Sequence, residues 1–407
     1  MLDAINKTLR LTYNRTVNSI AFLPGIIAIA FLGLSFLMIN FDFSETGKQL
    51  KSNMNWLSLR DASTARSICS SIAAGTLSLT VFSFSMVMIL LSQAASQMSN
   101  RILDRLIGNR FQQVVLGFYI GTIVYALFLL STIRDIDSGI SVPAISTYLL
   151  IALTVVDIFL FIYFLHYITQ SVKFETIINR IQSGTRASLE KSCTESSFTP
   201  DADIPEGYLL PASKSGAFQG FNRERLIEIC QGEEVVLYFH YPIGTFLIEN
   251  TTLLTIVSKK NISGDLKEKL RINIDIGRGQ EIQSNYSYGL KQLMEIAVKA
   301  LSPGINDPGT AAISLQAIGS LLAYRMQHFP VSQHEDKEGA VRIYLRQRDL
   351  GAEITEYLLP VWDYGKNDRL VRREMNHILM SLKSLGGHDL LNKLLREVEL
   401  ASRIENI

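Results

Sequence analysis

Three groups of residues in this 407-residue chain have the type and spacing to do chemistry. The first is a run of hydroxyls: Ser71, Ser78, Ser85, Ser92 and Ser99 recur at steps of seven within and just beyond an apolar stretch. Seven residues make almost two helical turns, so on a helix these serines form one slowly drifting stripe. Such a stripe either packs against another helix, where small hydroxylated residues allow close approach, or lines a hydrated pore or cavity. On the second reading Ser71, Ser78, Ser85 and Ser92 line the pore. The second group is Asp157, alone in the apolar run LIALTVVDIFLFIYF. A carboxylate at bilayer depth costs ~2.5–3.5 kcal/mol on insertion scales, so it must face protein or water. It is either an ion- or proton-interacting site or one hydrogen bond between helices. The third group lies in ALSPGINDPGTA. Pro303 and Gly304 end one helix, Asp307 is placed to cap the next, and Pro308 suits its first position. The segment therefore reads as a helix–turn–helix corner. With Tyr288, the residues Ser302, Asn306 and Asp307 are also candidates for a ligand site, where Asp307 favours a cation or hydroxyl donor over an anion.

No catalytic set stands beside these. The chain has no Walker loop, no GxSxG elbow, no HExxH and no histidine pair at ligand spacing. Its six histidines are scattered, and Cys230 with His240 lacks an organised third partner. The three cysteines show neither metal-ligand spacing nor a disulfide framework. Net charge is +1 with no basic patch interleaved with aromatics, which removes nucleic acid from the expected partners. The expectation is a protein that is not an enzyme and uses no cofactor or metal.

The elements that must position the hydroxyls and Asp157 are four apolar stretches within the first ~170 residues, Ser19–Phe41, Ile68–Leu91, Val114–Ile133 and Ala144–Ile168. Each is long enough to cross ~30 Å of hydrocarbon as a helix. Lys7, Arg10, Arg15, Arg101, Arg105, Arg110, Lys173, Arg180 and Arg186 fall on one side; Lys48, Lys51, Arg60, Arg66 and Arg134 fall on the other, offset by acids. The bias places both termini in the cytoplasm. Gly117 and Gly121 form a small-xxx-small helix contact face in span three. Between spans two and three, SNRILDRLIGNRF sets apolar residues against Arg101, Arg105 and Arg110. That is an amphipathic turn at the inner headgroups, either a lipid anchor or a docking surface, and at a pore its arginines stand at the inner mouth.

After Lys173 charges crowd and the pattern becomes that of a soluble domain. A helix over Gln170–Arg186 is followed by a polar linker, Ser188–Glu206. EVVLYFHY and GTFLIENTTLLTIVS alternate as strands do, in an order similar to the small barrel of lipoyl-type domains. From Ser263 the pattern turns helical, beginning with a helix over Asp265–Arg278. The predicted fold class is membrane α-helical: four transmembrane helices, then a cytoplasmic α+β domain with a β-rich barrel-like unit and a helical C-terminal part. The segments are an amphipathic arm (1–18), the transmembrane domain (19–170), helix and linker (171–206), the β-rich subdomain (207–262) and the helical subdomain (263–407).

YGLKQLMEIAVKALSPGINDPGTA, LSQAASQMSNRILDRL and QQVVLGFYIGTIVYALFLL together resemble the domain-of-unknown-function 2254 family of predicted bacterial membrane proteins, over nearly the whole chain. Tyr288-Gly289 stands where the family typically shows Phe-Gly, and Asn285 where an aspartate is common. The resemblance implies a four-span bacterial inner-membrane protein with a cytoplasmic domain, and no established activity. Expected partners are membrane lipid, further copies of the chain, and an ion or small ligand. The residues themselves point to a homo-oligomeric ion channel or channel-like pore, gated by the cytoplasmic domain. The alternative is a membrane-anchored sensor or scaffold binding a small ligand or a protein.

Overall fold

Uninterrupted runs of Leu, Ile, Phe, Val and Ala build the N-terminal part of the chain, and alternating or 3.6-periodic patterns build the rest. The computed structural model describes residues 19, 21–53, 61–97, 110–133, 142–194, 203–277, 279–386 and 389–403. Two units emerge, Met1–Lys173 and Phe174–Ile407.

The N-terminal unit contains α1 (Phe22–Phe43), α2 (Glu45–Asn53), α3 (Ala62–Gln97), α4 (Arg110–Thr132) and α5 (Ala144–Ser171). All but the short α2 are long and apolar enough to cross a membrane, α3 over Ala62–Ser92. Pro24 sits in the first turn of α1, where its missing N–H breaks no intrahelical bond. The most enclosed of the spans is α4, because its glycines let α1 lie directly on its backbone. A Cβ at Gly117 would stand 2.6 Å from Ile27 Cδ1, and one at Gly121 would stand 2.7 Å from the Phe31 ring. Phe31 and Phe118 close the same contact edge to face, 5.5 Å between centroids. The bundle's exterior is apolar, with Ile29, Leu37, Val81, Phe84, Phe159 and Ile162 exposed, as a lipid-facing surface requires.

At one end of this bundle Asp42 of α1 is wholly buried. Its carboxylate accepts hydrogen bonds from Ile145 N (3.1 Å), Ser146 N (2.7 Å) and Ser146 Oγ (2.5 Å) at the start of α5. Lys51 Nζ pairs with it at 3.2 Å.

The C-terminal unit opens with α6 (Phe174–Ser192), then β1 (Cys193–Thr194), β2 (Tyr208–Pro211), β3 (Gly216–Phe221), α7 (Arg223–Glu233), β4 (Val235–Phe239), β5 (Phe246–Leu247) and β6 (Thr252–Ser258). There follow α8 (Gly264–Ile272), β7 (Ile274–Gly277), α9 (Tyr286–Ala300), α10 (Pro308–Gln327), β8 (Phe329–Pro330), β9 (Gln333–Glu335) and β10 (Val341–Leu345). Helices α11 (Leu350–Gly365), α12 (Arg369–Leu385) and α13 (Asp389–Arg403) complete it. Polar side chains start these helices: Asn222, Ser263, Asn285, Asp307, Asp349 and Asp368 each accept from a backbone N–H in the first turn.

A five-stranded sheet runs β2-β6-β4-β10-β9, and β3 lies between β5 and β7 in a second sheet. Both sheets share one core with Phe218, Leu237, Phe239, Leu254, Ile256 and Ile343. Among the described residues no sheet closes on itself, so two open sheets stand where the small barrel was expected. The reason is the partner of β4: its free edge is taken by β10 in parallel, Leu237 opposite Ile343, with Tyr238 stacked on Tyr344. The stretch read as one helix, Asp265–Arg278, is α8 followed by β7, whose Ile274 and Ile276 face the core. Strands from 207–262 and from 263–407 thus enter the same sheets.

Candidate functional site

Helix α3 carries two regular stripes. Ala62, Ala65, Cys69, Thr76 and Ser83 are buried in the bundle, and Ser71, Ser78, Ser85 and Ser92 are exposed on its outside. The serines stand two residues after Cys69, Thr76 and Ser83 in the first three cases; two residues turn a helix by about 200°, so the stripes lie on opposite faces. Ser78 Oγ donates to the Ala74 carbonyl (2.9 Å), the self-satisfied state of serine in an apolar helix. Arg110 begins α4 and is exposed. Arg101, Arg105 and Ser99 lie outside the described residues.

Asp157 lies halfway along α5, wholly buried. Thr122 of α4 faces its carboxylate, and Tyr119, one turn away on α4, faces Ser83 of α3 and the Asp157 charge. Yet neither Asp157 oxygen makes a hydrogen bond, nor do the hydroxyls of Thr76, Ser83, Tyr119 and Thr122. A cavity of ≈ 300 Å³ reaches Ser83 and Tyr119 from Leu91 and Gln112. The sequence reading singled out Asp157 but did not name Tyr119 and Thr122 beside it. Their signal was their place beside Gly117 and Gly121, on the helix that the other spans surround.

The SPGINDP segment folds as a corner whose polar groups serve one another. Ser302 Oγ donates to Lys299 O (2.6 Å), Asn306 N to Ser302 O (2.9 Å), and Asp307 N to Ala300 O (2.8 Å). Asn306 takes φ = 49°, a left-handed position that asparagine tolerates. Asp307 Oδ1 accepts from Thr310 N (3.0 Å) and Oδ2 from Thr310 Oγ1 (2.6 Å). Tyr288 stands in the first turn of α9 and the corner follows its last, roughly 20 Å along the helix. The structure therefore gathers Ser302, Asn306 and Asp307 and leaves Tyr288 apart.

A cavity of ≈ 470 Å³ in the C-terminal unit is at the other end of α9. Asn285, Tyr286 and Ser287 line it with the cationic Lys191, Arg223 and Arg348, and with His334. Burial, reinforced by Arg223, holds the His334 imidazole down at about 4. Beneath the cavity Tyr286 donates to Glu353 Oε1 (2.8 Å), and Arg325 Nε lies 3.2 Å from Oε2 without the alignment of a hydrogen bond. The Arg325 guanidinium donates instead to the carbonyls of His328 and Arg348. Burial pushes Glu353 up to about 7, against the pull of Arg325 and Tyr286. Ser287 and Tyr357 share a short hydroxyl–hydroxyl bond. Among the described residues no three His, Cys, Asp or Glu side chains gather to hold a metal.

The chain matches the family model "Predicted membrane protein (DUF2254)" over residues 17–381, all four candidate spans and the corner included. It belongs to that family. Among the relatives it matches is an uncharacterized protein of Mycobacterium bovis, 25% identical over 313 residues that cover 74% of this chain and 60% of the relative. An uncharacterized protein of Mycobacterium tuberculosis matches with the same values, 25% identity over 313 residues. The chain spans about 60% of the length of the curated relatives it matches. No solved structure matches it.

Proposed function

We propose that this chain is the subunit of a homo-oligomeric, ion-conducting pore in the bacterial inner membrane, with both termini and the C-terminal unit in the cytoplasm. One observation carries the reading: Ser71, Ser78, Ser85 and Ser92 all stand on the outside of their own bundle. Four hydroxyls in register offer ions a continuous line of oxygens that lipid tails do not use. A single four-helix bundle encloses too little space for a conduction path, so the path belongs at the junction of several subunits, each contributing α3. Arg110 at the start of α4, with Arg101 and Arg105 before it in sequence, supplies positive charge at the inner mouth.

The test is planar-bilayer recording of the purified full-length protein, combined with Ser71→Cys, Ser78→Cys, Ser85→Cys and Ser92→Cys. The native Cys69, Cys193 and Cys230 are all buried, which keeps the background reaction low. The expected result is a conductance that a charged thiol reagent blocks in the variants and spares in the native chain. Silence under voltage, tension and pH changes overturns the reading.

The C-terminal cavity favours a second reading, a membrane-anchored sensor. Lys191 and Arg223, with Arg348 that also pairs with Glu356, outnumber the one lining acid, Asp275, around ≈ 470 Å³ and suit a small anion, which moves the ligand site from the corner to the opposite end of α9. A melting shift of the full chain with millimolar phosphate, lost in Arg223→Ala, in a protein that conducts nothing, selects this reading.

A further inference from the structure

We propose that Asp157 and the hydroxyls around it form a site for one unit of positive charge, a proton or a bare monovalent cation, inside each subunit. The site is distinct from the outward serine stripe and does not depend on the conduction reading. Asp157, Tyr119 and Thr122 are 0% exposed, Thr76 1% and Ser83 5%. All five carry oxygens that no hydrogen bond engages. An ionised carboxylate left alone in such a place is costly, and the ordinary remedies are a cationic side chain or several hydrogen-bond donors.

The same bundle applies both remedies to Asp42, which has Lys51 and the α5 N-terminus. Neither reaches Asp157. From α4, Thr122 faces it and Tyr119 lies within reach of its charge. On α3, Ser83 stands against Tyr119, and Thr76 is buried two turns along the same face. No Lys, Arg or His among the described residues pairs with it.

The chemistry of the lining narrows the occupant. Its donors are all hard oxygens with one negative charge, and divalent ions ordinarily demand more carboxylates. Hydroxyls rotate, so the same groups can donate to a bare carboxylate or turn their lone pairs to a cation. The ≈ 300 Å³ cavity that starts at Leu91 and Gln112, where α3 nears its end and α4 begins, extends about two turns to Ser83 and Tyr119, and Asp157 is not part of its lining.

Two measurements on detergent-purified full-length protein separate the sources of the charge. Equilibrium binding of radioactive sodium at alkaline pH reports a cation; infrared difference spectra between acid and alkaline buffer report a carboxyl proton. If the occupant is a cation, the native chain binds sodium at a single saturable site that acid displaces. Asp157→Asn abolishes that binding, and Thr122→Val weakens it about tenfold, the worth of one hydrogen bond to a charged group. If it is a proton, sodium does not bind, a protonated-carboxyl band disappears in Asp157→Asn, and its frequency moves in Tyr119→Phe and Ser83→Ala. Should Asp157→Asn fail to fold, the shifts in Tyr119→Phe and Thr122→Val decide alone. No sodium binding and no carboxyl band that responds to these substitutions overturns the proposal. Conductance is not a readout, so this outcome is separate from the fate of the pore.

Discussion

Where α1 runs out and α5 begins, a buried aspartate is held by two backbone N–H groups, a hydroxyl and a lysine; halfway along α5, another faces the Thr122 hydroxyl and makes no hydrogen bond. The difference lies in where each falls relative to a helix end. The first turn of a helix has free N–H groups and the positive end of the macrodipole, so Asp42 is held by the backbone itself. In mid-helix every amide is already bonded to the carbonyl four residues back, so only side chains or an outside occupant can serve Asp157. One carboxylate completes the fold. The other leaves a place open in it.

Substituting each in turn tests that contrast. Asp42→Asn should cost ~3–5 kcal/mol in an unfolding titration of the detergent-purified protein, since it strands Lys51 and weakens the α5 cap. Asp157→Asn should leave stability unchanged or raise it, because an amide needs no counter-charge. Equal losses in the two variants would break the comparison. A smaller effect sharpens it from the packing side. Gly121→Leu forces α1 off α4 at Phe31 and should cost ~1–3 kcal/mol in the same titration, showing that apolar contact, not the Asp157 layer, holds the helices together.

The smallest effect extends the contrast to a half-buried base. His334 is held below its ordinary value by burial and Arg223, so it stays neutral where an unfolded chain's imidazole takes a proton. The native state therefore binds fewer protons, and stability present above pH ~6.5 declines as pH falls toward 4. His334→Gln should flatten that part of a melting-temperature profile against pH; an unchanged acid slope counts against it.

The spans were legible because length and composition alone set them: the stretch expected at Ala144–Ile168 is the helix Ala144–Ser171. The glycines of span three announced a contact face, and Asp307 announced a cap, since both are local properties. The outward face of α3 was not legible. A serine every seven residues and the run Cys69, Thr76, Ser83 are equally regular, and only the positions of α4 and α5 decide which is enclosed. The barrel expectation failed for a related reason: alternation finds a strand but not its neighbour, and β4 takes one neighbour from far along the chain. In INIDIG the isoleucines at 272, 274 and 276 alternate, a strand signal that the preceding helix pattern obscured.

The parallel pairing of β4 with β10 also bears on how the protein is made. A ribosome releases Val235–Phe239 about a hundred residues before Val341–Leu345, and all the spans emerge earlier still. Throughout that interval the second edge of β4 is an open template, able to recruit strands from other nascent chains. Truncations that stop before residue 341 should therefore aggregate through this edge, whereas those that keep Leu345 should not.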